Sequence, residues 1–151
     1  MAPIKVLIAD DSDLMRKVLT DLIDQDPGIQ VIGWAANGKE TVEAVKKLNP
    51  DIITLDLHMP VMDGMEALRL IMDETSKPVI IVSAYTSESA QCTLKALRMG
   101  AADYIMKPHP FLANSIADIK TAIISKIKKY GSNSDQPFHL KSESESIQTG
   151  G

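Results

Sequence analysis

Three aspartates and one lysine are the side chains whose types and positions in this sequence suggest chemistry. Asp10 and Asp11 form a pair after one short apolar run, and Asp56 and Lys107 each follow another. Such runs, when helical segments separate them, are typical of buried parallel strands. Ligands of open parallel α/β sheets gather at the carboxyl ends of the strands. We therefore expect three carboxylates and one ammonium group to meet in one crevice.

Three carboxylates at close range repel one another unless a cation joins them. The group therefore predicts a site for a divalent cation, Mg²⁺ or Mn²⁺, because such ions prefer oxygen ligands. Asp11 and Asp56 can supply side-chain oxygens to the ion, and Asp10 can reach it through a water molecule. Lys107 beside such an ion suits the handling of a phosphoryl group, because both neutralise charge on its oxygens.

Asp56 is the candidate acceptor of that phosphoryl group, because it stands alone at the end of the predicted central strand. An aspartate can attack phosphorus and form an acyl phosphate. Ser83, at the end of the fourth predicted strand, can offer its hydroxyl to a phosphoryl oxygen. Tyr104, inside the fifth strand, is either a core residue or a ring whose exposure changes when Ser83 moves. For His58 we expect a metal contact through the backbone carbonyl, since Mg²⁺ prefers oxygen to nitrogen.

Each of these residues also has a purely structural interpretation when it is taken alone. An Asp-Asp pair after a strand is often a helix N-cap beside a solvated carboxylate, and a single lysine there is often a surface residue. Ser83 can cap the next helix, although Ser87 suits that position better. The functional interpretation is favoured because all of these residues fall at one edge of the predicted sheet.

Composition limits the kind of protein that carries this site. The chain has 151 residues, of which 44% are hydrophobic and 24% charged, which suits one globular domain. Its net charge of −4 favours neither nucleic acid nor an anionic membrane as a direct partner. Cys92 is the one cysteine and is interpreted as a packing or surface residue in a reducing compartment. No apolar run approaches about 18 residues, and no signal peptide is recognised, so we expect a cytoplasmic protein without membrane insertion.

Strand and helix patterns alternate about five times along the chain. Strands are predicted at residues 5–9, 29–35, 51–55, 79–82 and 102–106. Helices are predicted from Ser12, after Asn37-Gly38, over residues 65–73 and 87–98, and around an isoleucine stripe at 116, 119, 123 and 127. This alternation predicts an α/β fold in which helices cover both faces of a parallel sheet.

Two of the predicted helices carry weaker signals. The first shows Leu14, Val18 and Leu22 on one face. The fourth has a thin stripe of Leu94 and Leu97 before Gly100, a good C-cap residue, so it is a candidate for movement or docking. From residue 131 onward Ser, Gly, Asn, Gln and Glu dominate. We therefore predict a folded domain over residues 1–130 and a disordered tail or interdomain linker over residues 131–151.

Several short motifs at the ends of the predicted strands complete a known pattern. They are Asp10-Asp11-Ser12, Asp56 with Met59-Pro60 and Met62-Asp63-Gly64, Ser83-Ala84, Gly100-Ala101 and Lys107-Pro108. Together they resemble the receiver domain of two-component response regulators, over residues 4 to about 129. The resemblance implies a three-layer flavodoxin-like (βα)5 fold with a five-stranded parallel sheet in the order 2-1-3-4-5.

The same resemblance implies a mechanism. Asp56 would be phosphorylated by a histidine kinase, with Mg²⁺ held by a set of oxygen ligands: Asp10, Asp11, Asp56 and the His58 carbonyl. Ser83 and Lys107 would contact the phosphoryl group, and Ser83 with Tyr104 would form the switch pair. The face made by the fourth helix, fifth strand and fifth helix would then change its contacts with an effector or with a catalytic domain of the same protein. His58 and Tyr85 lie where such domains vary, and they are expected to tune the lifetime of the phosphoryl group.

A finer similarity concerns one branch of the family. The segments DDSDLMRKVL, ITLDLHMPVMDGMEALRLIM, TLKALRMGAADYIMKP and IADIKTAIISKIK are similar to the regulatory domain of chemotaxis protein-glutamate methylesterases. In that subfamily a linker and a catalytic Ser-His-Asp domain follow the regulatory domain. This sequence has no Gly-x-Ser-x-Gly, so we expect no esterase activity from it. It is interpreted as a fragment that ends in the linker, and a stand-alone receiver of the same ancestry is the alternative.

Other functions are disfavoured by specific features. A metal-dependent phosphohydrolase with an aspartyl phosphate would carry Asp-x-Asp at the first strand, but here Asp10 and Asp11 are adjacent and no cap insertion follows. A docking module without phosphorylation is disfavoured because all the required residues are present. Nucleotide-binding glycine motifs are absent from the sequence, and no basic patch indicates DNA.

Overall fold

The computed structural model describes residues 2–59, 62–84, 86–107 and 113–132. Strands β1 to β5 span Ile4–Ala9, Ile29–Ala35, Ile52–Asp56, Val79–Ser83 and Asp103–Met106. Helices α1 to α5 span Asp13–Ile23, Gly38–Leu48, Gly64–Glu74, Ser87–Met99 and Ala113–Gly131. The predicted strands are therefore correct to within one residue at either end.

The five strands form one parallel sheet in the order β2-β1-β3-β4-β5, which confirms the predicted topology. Strand β3 lies at the centre, where Thr54 is paired with Ile8 of β1 and with Ile80 of β4. The register between β1 and β2 shifts once, between Val6 and Leu7. Because all strands run in the same direction, their carboxyl ends lie along one edge of the sheet.

Each strand contributes to two hydrophobic cores, since successive side chains point to opposite faces. Leu7 and Ile53 belong to the core that α2, α3 and α4 cover. Ile8 and Ile52 belong to the core that α1 and α5 cover. Burial on both faces explains why the central strands are almost continuously apolar in sequence. The result is the predicted arrangement of a sheet between two layers of helices.

Four helices begin with a side chain that accepts a hydrogen bond from the N–H group three residues later. These N-caps are Ser12, Asn37, Asp63 and Thr86. The prediction of Ser12 is confirmed, whereas the preference for Ser87 at the start of α4 is wrong, because Thr86 accepts from the Ser89 N–H at 2.9 Å. Thr and Ser hydroxyls are both suitable N-caps, and the two residues are adjacent, so the sequence alone does not decide which of them caps the helix.

The core-facing stripe of α1 differs from the predicted one. Leu14 is 67% exposed. Val18 and Leu22 pack in the core as predicted, and Met15, Leu19 and Ile23 join them, at the i, i+3, i+4, i+7 and i+8 spacing of one helix face. Leu14 lies about 100° to the side of this stripe, in the first turn of the helix.

The inner face of α4 also differs from the predicted one. Leu94 is 55% exposed, and Leu97 packs only partly against the core. The buried residues of α4 are Ser89, Thr93 and Ala96, which again have the i, i+4, i+7 spacing. The helix therefore presents small and hydroxyl-bearing side chains to the sheet, where leucines were predicted.

The C-cap of α4 and the apolar stripe of α5 agree with the predictions. Gly100 caps α4 with φ of +121°, a conformation that favours glycine and confirms its predicted place. In α5 the predicted stripe is confirmed by Ile119, Ile123 and Ile127, which are all buried. Helix α5 continues through Gly131. A tail was predicted from residue 131, but residues 133–151 lie outside the described residues, so the domain boundary stays a prediction.

Candidate functional site

The topology brings the four charged side chains together at the carboxyl edge of the sheet. Asp10 and Asp11 follow β1, Asp56 ends β3, and Lys107 follows β5. One carboxylate oxygen from each aspartate lies within 4.8 Å of the others. The Lys107 N–H donates to the carbonyl oxygen of Ser83 at 2.6 Å, which holds the end of β5 beside the end of β4. The crevice expected from the strand pattern is therefore present.

Asp56 is held by a hydrogen bond at each carboxylate oxygen. Its Oδ1 accepts from the His58 N–H at 3.0 Å, and its Oδ2 accepts from Lys107 Nζ at 3.1 Å. The residue is only 4% exposed, because β3 is buried along its whole length. Charge-assisted bonds of this kind fix the orientation of a carboxylate. Asp56 is thus a buried and oriented carboxyl group at the end of the central strand.

Asp10 is the most deeply buried carboxylate of the site, at 1% exposed. Its Oδ1 accepts from the Ser12 N–H at 2.9 Å, and its Oδ2 lies 3.2 Å from Lys107 Nζ. This second contact is an ion pair without the alignment of a hydrogen bond, so Oδ2 has no hydrogen-bond partner in the described part of the chain. Burial raises the pKa of Asp10, and the charge of Asp56 adds to this effect, while the Ser12 N–H and Lys107 oppose it.

Lys107 places its ammonium group between two aspartates, 3.2 Å from Asp10 Oδ2 and 3.1 Å from Asp56 Oδ2. Its side chain is 21% exposed. Burial acts to lower the pKa of Lys107, but the charges of Asp56 and Asp10 outweigh it and hold the pKa above its usual value. The ammonium group is therefore charged at neutral pH and balances part of the negative charge at this edge.

The aspartates fit a hard divalent cation. They offer carboxylate oxygens from one exposed residue, Asp11, and two buried ones, Asp10 and Asp56, within a space of 4.8 Å. The Oδ2 atom of Asp10 is buried without an aligned donor and is available to a ligand or its bound water. Mg²⁺ and Mn²⁺ favour such oxygen donors and commonly keep several waters.

His58 lies beside Asp56 but directs its ring towards α4. Its Nε2 atom is 3.3 Å from the Ser89 hydroxyl, and its side chain is exposed. The predicted metal contact through its backbone carbonyl stays a prediction. Tyr85, the other residue expected to tune the phosphoryl lifetime, lies outside the described residues.

Ser83 contacts α4, a connection that the sequence-based prediction missed. Its hydroxyl lies 2.9 Å from Thr93 Oγ1, and Thr93 Oγ1 lies 2.8 Å from the Ser89 carbonyl oxygen. All three residues are buried, at 5 to 6% exposed. The available signal was the i, i+4, i+7 spacing of Ser89, Thr93 and Ala96, which a search restricted to large apolar residues overlooks.

Tyr104 is 43% exposed, so the interpretation of this residue as plain core is wrong. Lys126 of α5 lies over the ring, with Nζ 5.3 Å from the centroid, and also donates to the Tyr104 carbonyl oxygen at 2.7 Å. The same Nζ pairs with Asp103 Oδ1 at 3.1 Å. These contacts hold the ring at the surface formed by β5 and α5, and a switching role stays a prediction.

The motif Met62-Asp63-Gly64 packs against the backbone that carries Asp56. The Gly64 N–H donates to the Leu57 carbonyl oxygen at 3.0 Å. A Cβ atom at Gly64 would lie 2.3 Å from the Asp56 carbonyl oxygen, a distance that no side chain tolerates. Glycine is therefore required where α3 begins, because the helix starts against the backbone that carries Asp56.

Comparison with known sequences agrees with this site. The profile of the response regulator receiver domain matches residues 6–117. A protein-glutamate methylesterase/protein-glutamine glutaminase of Pyrococcus horikoshii is 49% identical over 126 residues, which are 83% of this chain and 34% of that protein. The protein of the same name from Thermotoga maritima is 44% identical over 126 residues, 83% of this chain and 37% of that protein. The chain thus spans about a third of the length of these relatives.

Solved structures show the same architecture. The response regulator domain of Thermotoga maritima CheB is similar with a TM-score of 0.77 and 43% identity, covering 86% of this chain and 97% of that one. A chain from the CheX-CheY-BeF3-Mg²⁺ complex of Borrelia burgdorferi is similar with a TM-score of 0.67 and 33% identity, covering 83% and 90%.

Among the described residues, no helix has both the length and the apolar character needed to cross a membrane. The strand order, the carboxyl-edge crevice and the match over residues 6–117 agree with one another. The chain belongs to the response regulator receiver domain family and is closely related to the receiver domains of protein-glutamate methylesterases.

Proposed function

We propose that Asp56 is the phosphoacceptor of this receiver and that its phosphorylation by a histidine kinase is the signal it transmits. One observation carries the proposal: Asp56 is a buried, oriented carboxylate that shares its crevice with two further carboxylates and a lysine. A carboxylate oxygen of Asp56 attacks phosphorus while the bond from phosphorus to the histidine nitrogen of the donor breaks. An acyl phosphate forms, and the leaving imidazole takes up a proton.

The carboxylates of Asp10, Asp11 and Asp56, with the backbone carbonyl of His58, would hold Mg²⁺ or Mn²⁺. When bound, the ion supplies positive charge that offsets the charge of the phosphoryl oxygens. The compact oxygen donor set of this chain supports the assignment. The similarity to a chain from a complex that contains BeF3 and Mg²⁺ is also consistent with it.

Lys107 and Ser83 would contact the transferred group. Lys107 Nζ already lies 3.1 Å from Asp56 Oδ2, so its charge is in place as negative charge develops on the phosphoryl oxygens. Ser83 ends the strand next to Asp56, and its hydroxyl can donate to a phosphoryl oxygen. Thus two side chains from neighbouring strands would stabilise the acyl phosphate after it forms.

The output of the switch is proposed to be a change of the face formed by α4, β5 and α5. A phosphoryl group adds charge and acceptor oxygens at the sheet edge, which draws Ser83 towards Asp56 and allows Tyr104 to repack. Such a change is a population shift between two states of the face. Its exposed apolar residues, Leu94 at 55% and Tyr104 at 43%, support a role in partner contact.

A small acyl-phosphate donor, applied with and without Mg²⁺ and followed by intact mass, tests the phosphoacceptor. We expect a metal-dependent gain of one phosphoryl group that hydroxylamine removes and that Asp56→Asn abolishes. Asp63→Asn is the matched control, because it changes a nearby carboxylate that only caps α3 and should retain phosphorylation. Uptake that persists in Asp56→Asn would refute the assignment. Many turnovers of an external phosphoester would instead support the phosphohydrolase.

We further propose that this receiver, over residues 1–130 with a linker after it, regulates a methylesterase domain within a cytoplasmic chemotaxis protein. The identities of 49% and 44% to protein-glutamate methylesterases support this proposal. The alternative is a stand-alone receiver of the same ancestry, which would act without a catalytic domain. By itself the receiver would catalyse only its own phosphorylation and dephosphorylation.

A chimera tests the regulatory role. The receiver of the Thermotoga maritima methylesterase is replaced by this chain, and hydrolysis of glutamyl methyl esters is measured with and without the phosphoryl donor. We expect phosphorylation to raise the rate, and Asp56→Asn in the chimera to remove the increase. An active chimera whose rate ignores phosphorylation would favour the stand-alone receiver.

A further inference from the structure

Helix α4 is attached to the candidate site by hydroxyl groups. Its buried face presents Ser89 and Thr93, each 5% exposed, towards the ends of β3 and β4. Thr93 Oγ1 lies 2.9 Å from Ser83 Oγ, and Ser89 Oγ lies 3.3 Å from His58 Nε2. Thus α4 contacts two residues that stand next to the proposed phosphoacceptor.

The hydroxyl protons limit how these groups can bond. Thr93 Oγ1 has two neighbouring acceptors, the Ser89 carbonyl oxygen at 2.8 Å and Ser83 Oγ at 2.9 Å, but it carries one proton. When Thr93 donates to the Ser89 carbonyl, the contact between Thr93 and Ser83 is a hydrogen bond only if Ser83 donates its proton to Thr93 Oγ1. The other acceptor of Ser83, the Ala84 carbonyl oxygen, is distant at 3.4 Å. In the described part of the chain, the Ser83 hydroxyl makes no hydrogen bond to Asp56 or Lys107.

We propose that Thr93 is a positioning residue that holds the Ser83 hydroxyl against α4 while Asp56 is unphosphorylated. The Ser83 proton cannot serve Thr93 and a phosphoryl oxygen at the same time. Contact with the phosphoryl group therefore takes this proton from Thr93, and α4 loses a buried attachment to the sheet. The inference rests on the proposed phosphorylation of Asp56, and it assigns to α4 the first contact that phosphorylation breaks.

The packing of α4 explains why loss of the hydrogen bond between Ser83 and Thr93 would weaken the attachment of this helix. Leu94 is exposed, and Cys92, Leu97 and Met99 pack only partly against the core. The buried residues in the first half of the helix, Ser89 and Thr93, carry hydroxyl groups. One buried hydrogen bond is then a considerable part of what holds this end of the helix. Its loss would release α4 within the proposed output face.

Thr93→Val tests the inference, because valine keeps the branched shape and removes the hydroxyl. Thr93→Ser is the matched control, since it keeps the hydroxyl and removes only a methyl group. The probe is beryllium fluoride with Mg²⁺, whose affinity for each variant is measured by titration. We expect Thr93→Val to bind the probe about 3- to 10-fold more tightly than the wild type, because Ser83 no longer has to leave Thr93. Thr93→Ser should bind with wild-type affinity.

A double-mutant cycle separates positioning from a general effect on folding. In a Ser83→Ala background, Thr93→Val should leave the affinity unchanged, since no Ser83 hydroxyl remains to be released. Tightening that persists without Ser83, or affinity that is equal or weaker in Thr93→Val, would overturn the inference. If Thr93→Val does not fold, Thr93→Ala takes its place in the same cycle.

Intact mass after treatment with the acyl-phosphate donor distinguishes the two possible failures. A wild type that gains no phosphoryl group would refute the proposed function and, with it, the role of Thr93. A wild type that gains the group while Thr93→Val binds the probe as the wild type does would refute the role of Thr93 alone.

Discussion

Two threonines with fully buried side chains differ in what their hydroxyls contact. Thr41, in α2, is 0% exposed and donates to the Asn37 carbonyl oxygen at 2.7 Å. Thr54, in β3, is also 0% exposed, but its Oγ1 has no hydrogen-bond partner among the residues that the structure describes. A buried hydroxyl without a partner keeps its desolvation cost and gains nothing in return.

The replacement Thr54→Val is therefore expected to raise the free energy of unfolding by about 1 kcal/mol, since it removes an unpaired hydroxyl and keeps the side-chain shape. Thr41→Val is the matched control and should lower it by about 1 kcal/mol, because a bonded hydroxyl is lost. Urea unfolding of the three proteins measures both values. A destabilised Thr54→Val variant would contradict the prediction.

Asp10 gives a prediction about pH. Its folded-state pKa lies above the ordinary value of 3.8 because of burial, so the folded chain binds more protons than the unfolded chain between the two pKa values. Ionisation of Asp10 therefore lowers the free energy of unfolding as the pH rises between the two pKa values. Asp10→Asn should melt at a higher temperature than the wild type at pH 7 without Mg²⁺. This advantage should shrink as the pH falls towards 3.8.

Thermal melts across a pH series, with a chelator present, measure the effect. Added Mg²⁺ should then raise the melting temperature of the wild type more than that of Asp10→Asn, because the variant has lost a carboxylate of the site. A difference in melting temperature that is independent of pH would show that the ionisation of Asp10 is not its cause.

At the scale of the elements, the connection from β3 to α3 is the part most constrained by the site. The first residue of α3, Gly64, lies so close to the Asp56 backbone that a Cβ atom would be 2.3 Å from the Asp56 carbonyl oxygen and 2.4 Å from Leu57 Cα. Both obstacles are backbone atoms, which cannot move aside as a flexible side chain can. The start of the helix and the position of Asp56 are thus one structural unit.

Gly64→Ala is expected to lower the free energy of unfolding by about 2 kcal/mol and to slow phosphorylation of the remaining folded protein, because the Asp56 backbone must shift. Gly28→Ala is the control: its Cβ atom would lie 3.1 Å from Asp26 Oδ1, which is a side-chain atom far from the site. Urea unfolding and the rate of phosphoryl uptake measure the two effects. Equal behaviour of the two variants would contradict the prediction.

The elements also show where sequence reasoning succeeded and where it failed. The strands could be placed to within one residue because each is an apolar run bounded by polar or turn residues, and the α5 stripe was visible as isoleucines. The inner face of α4 was missed because Ser89 and Thr93 are hydrophilic by type and buried only through hydrogen bonds with the site. Leu14 misled for the opposite reason, because an apolar residue on a helix need not face the core.

For the whole molecule, strand order and the convergence of Asp10, Asp56 and Lys107 were predictable, because the direction of parallel strands decides which edge collects their final residues. The contacts of Ser83 and Tyr104 were not, because they depend on the packing of α4 and α5 against β4 and β5. Sequence therefore indicated which charged side chains meet at this edge, and the structure added how α4 and α5 contact Ser83 and Tyr104.

We expect binding of beryllium fluoride and Mg²⁺ to change amide hydrogen exchange on one side of the molecule only. Amides of α4, β5 and α5 should change their exchange rates, because these elements adjoin Ser83 and Tyr104, while those of α2 should not. Mass-spectrometric exchange with Asp56→Asn as the control measures this. A change spread evenly over all five helices would contradict a localised output face.

The ammonium group of Lys107, between Asp10 and Asp56, has a consequence for the proposed magnesium site. The lysine offsets part of the repulsion between the carboxylates, so the folded crevice is stable before any metal binds. At the proposed site Mg²⁺ would then exchange with the surrounding solution without the domain unfolding. The ion would act as an exchangeable activator that the reaction does not consume, and the readiness of the switch would follow the concentration of free magnesium around it.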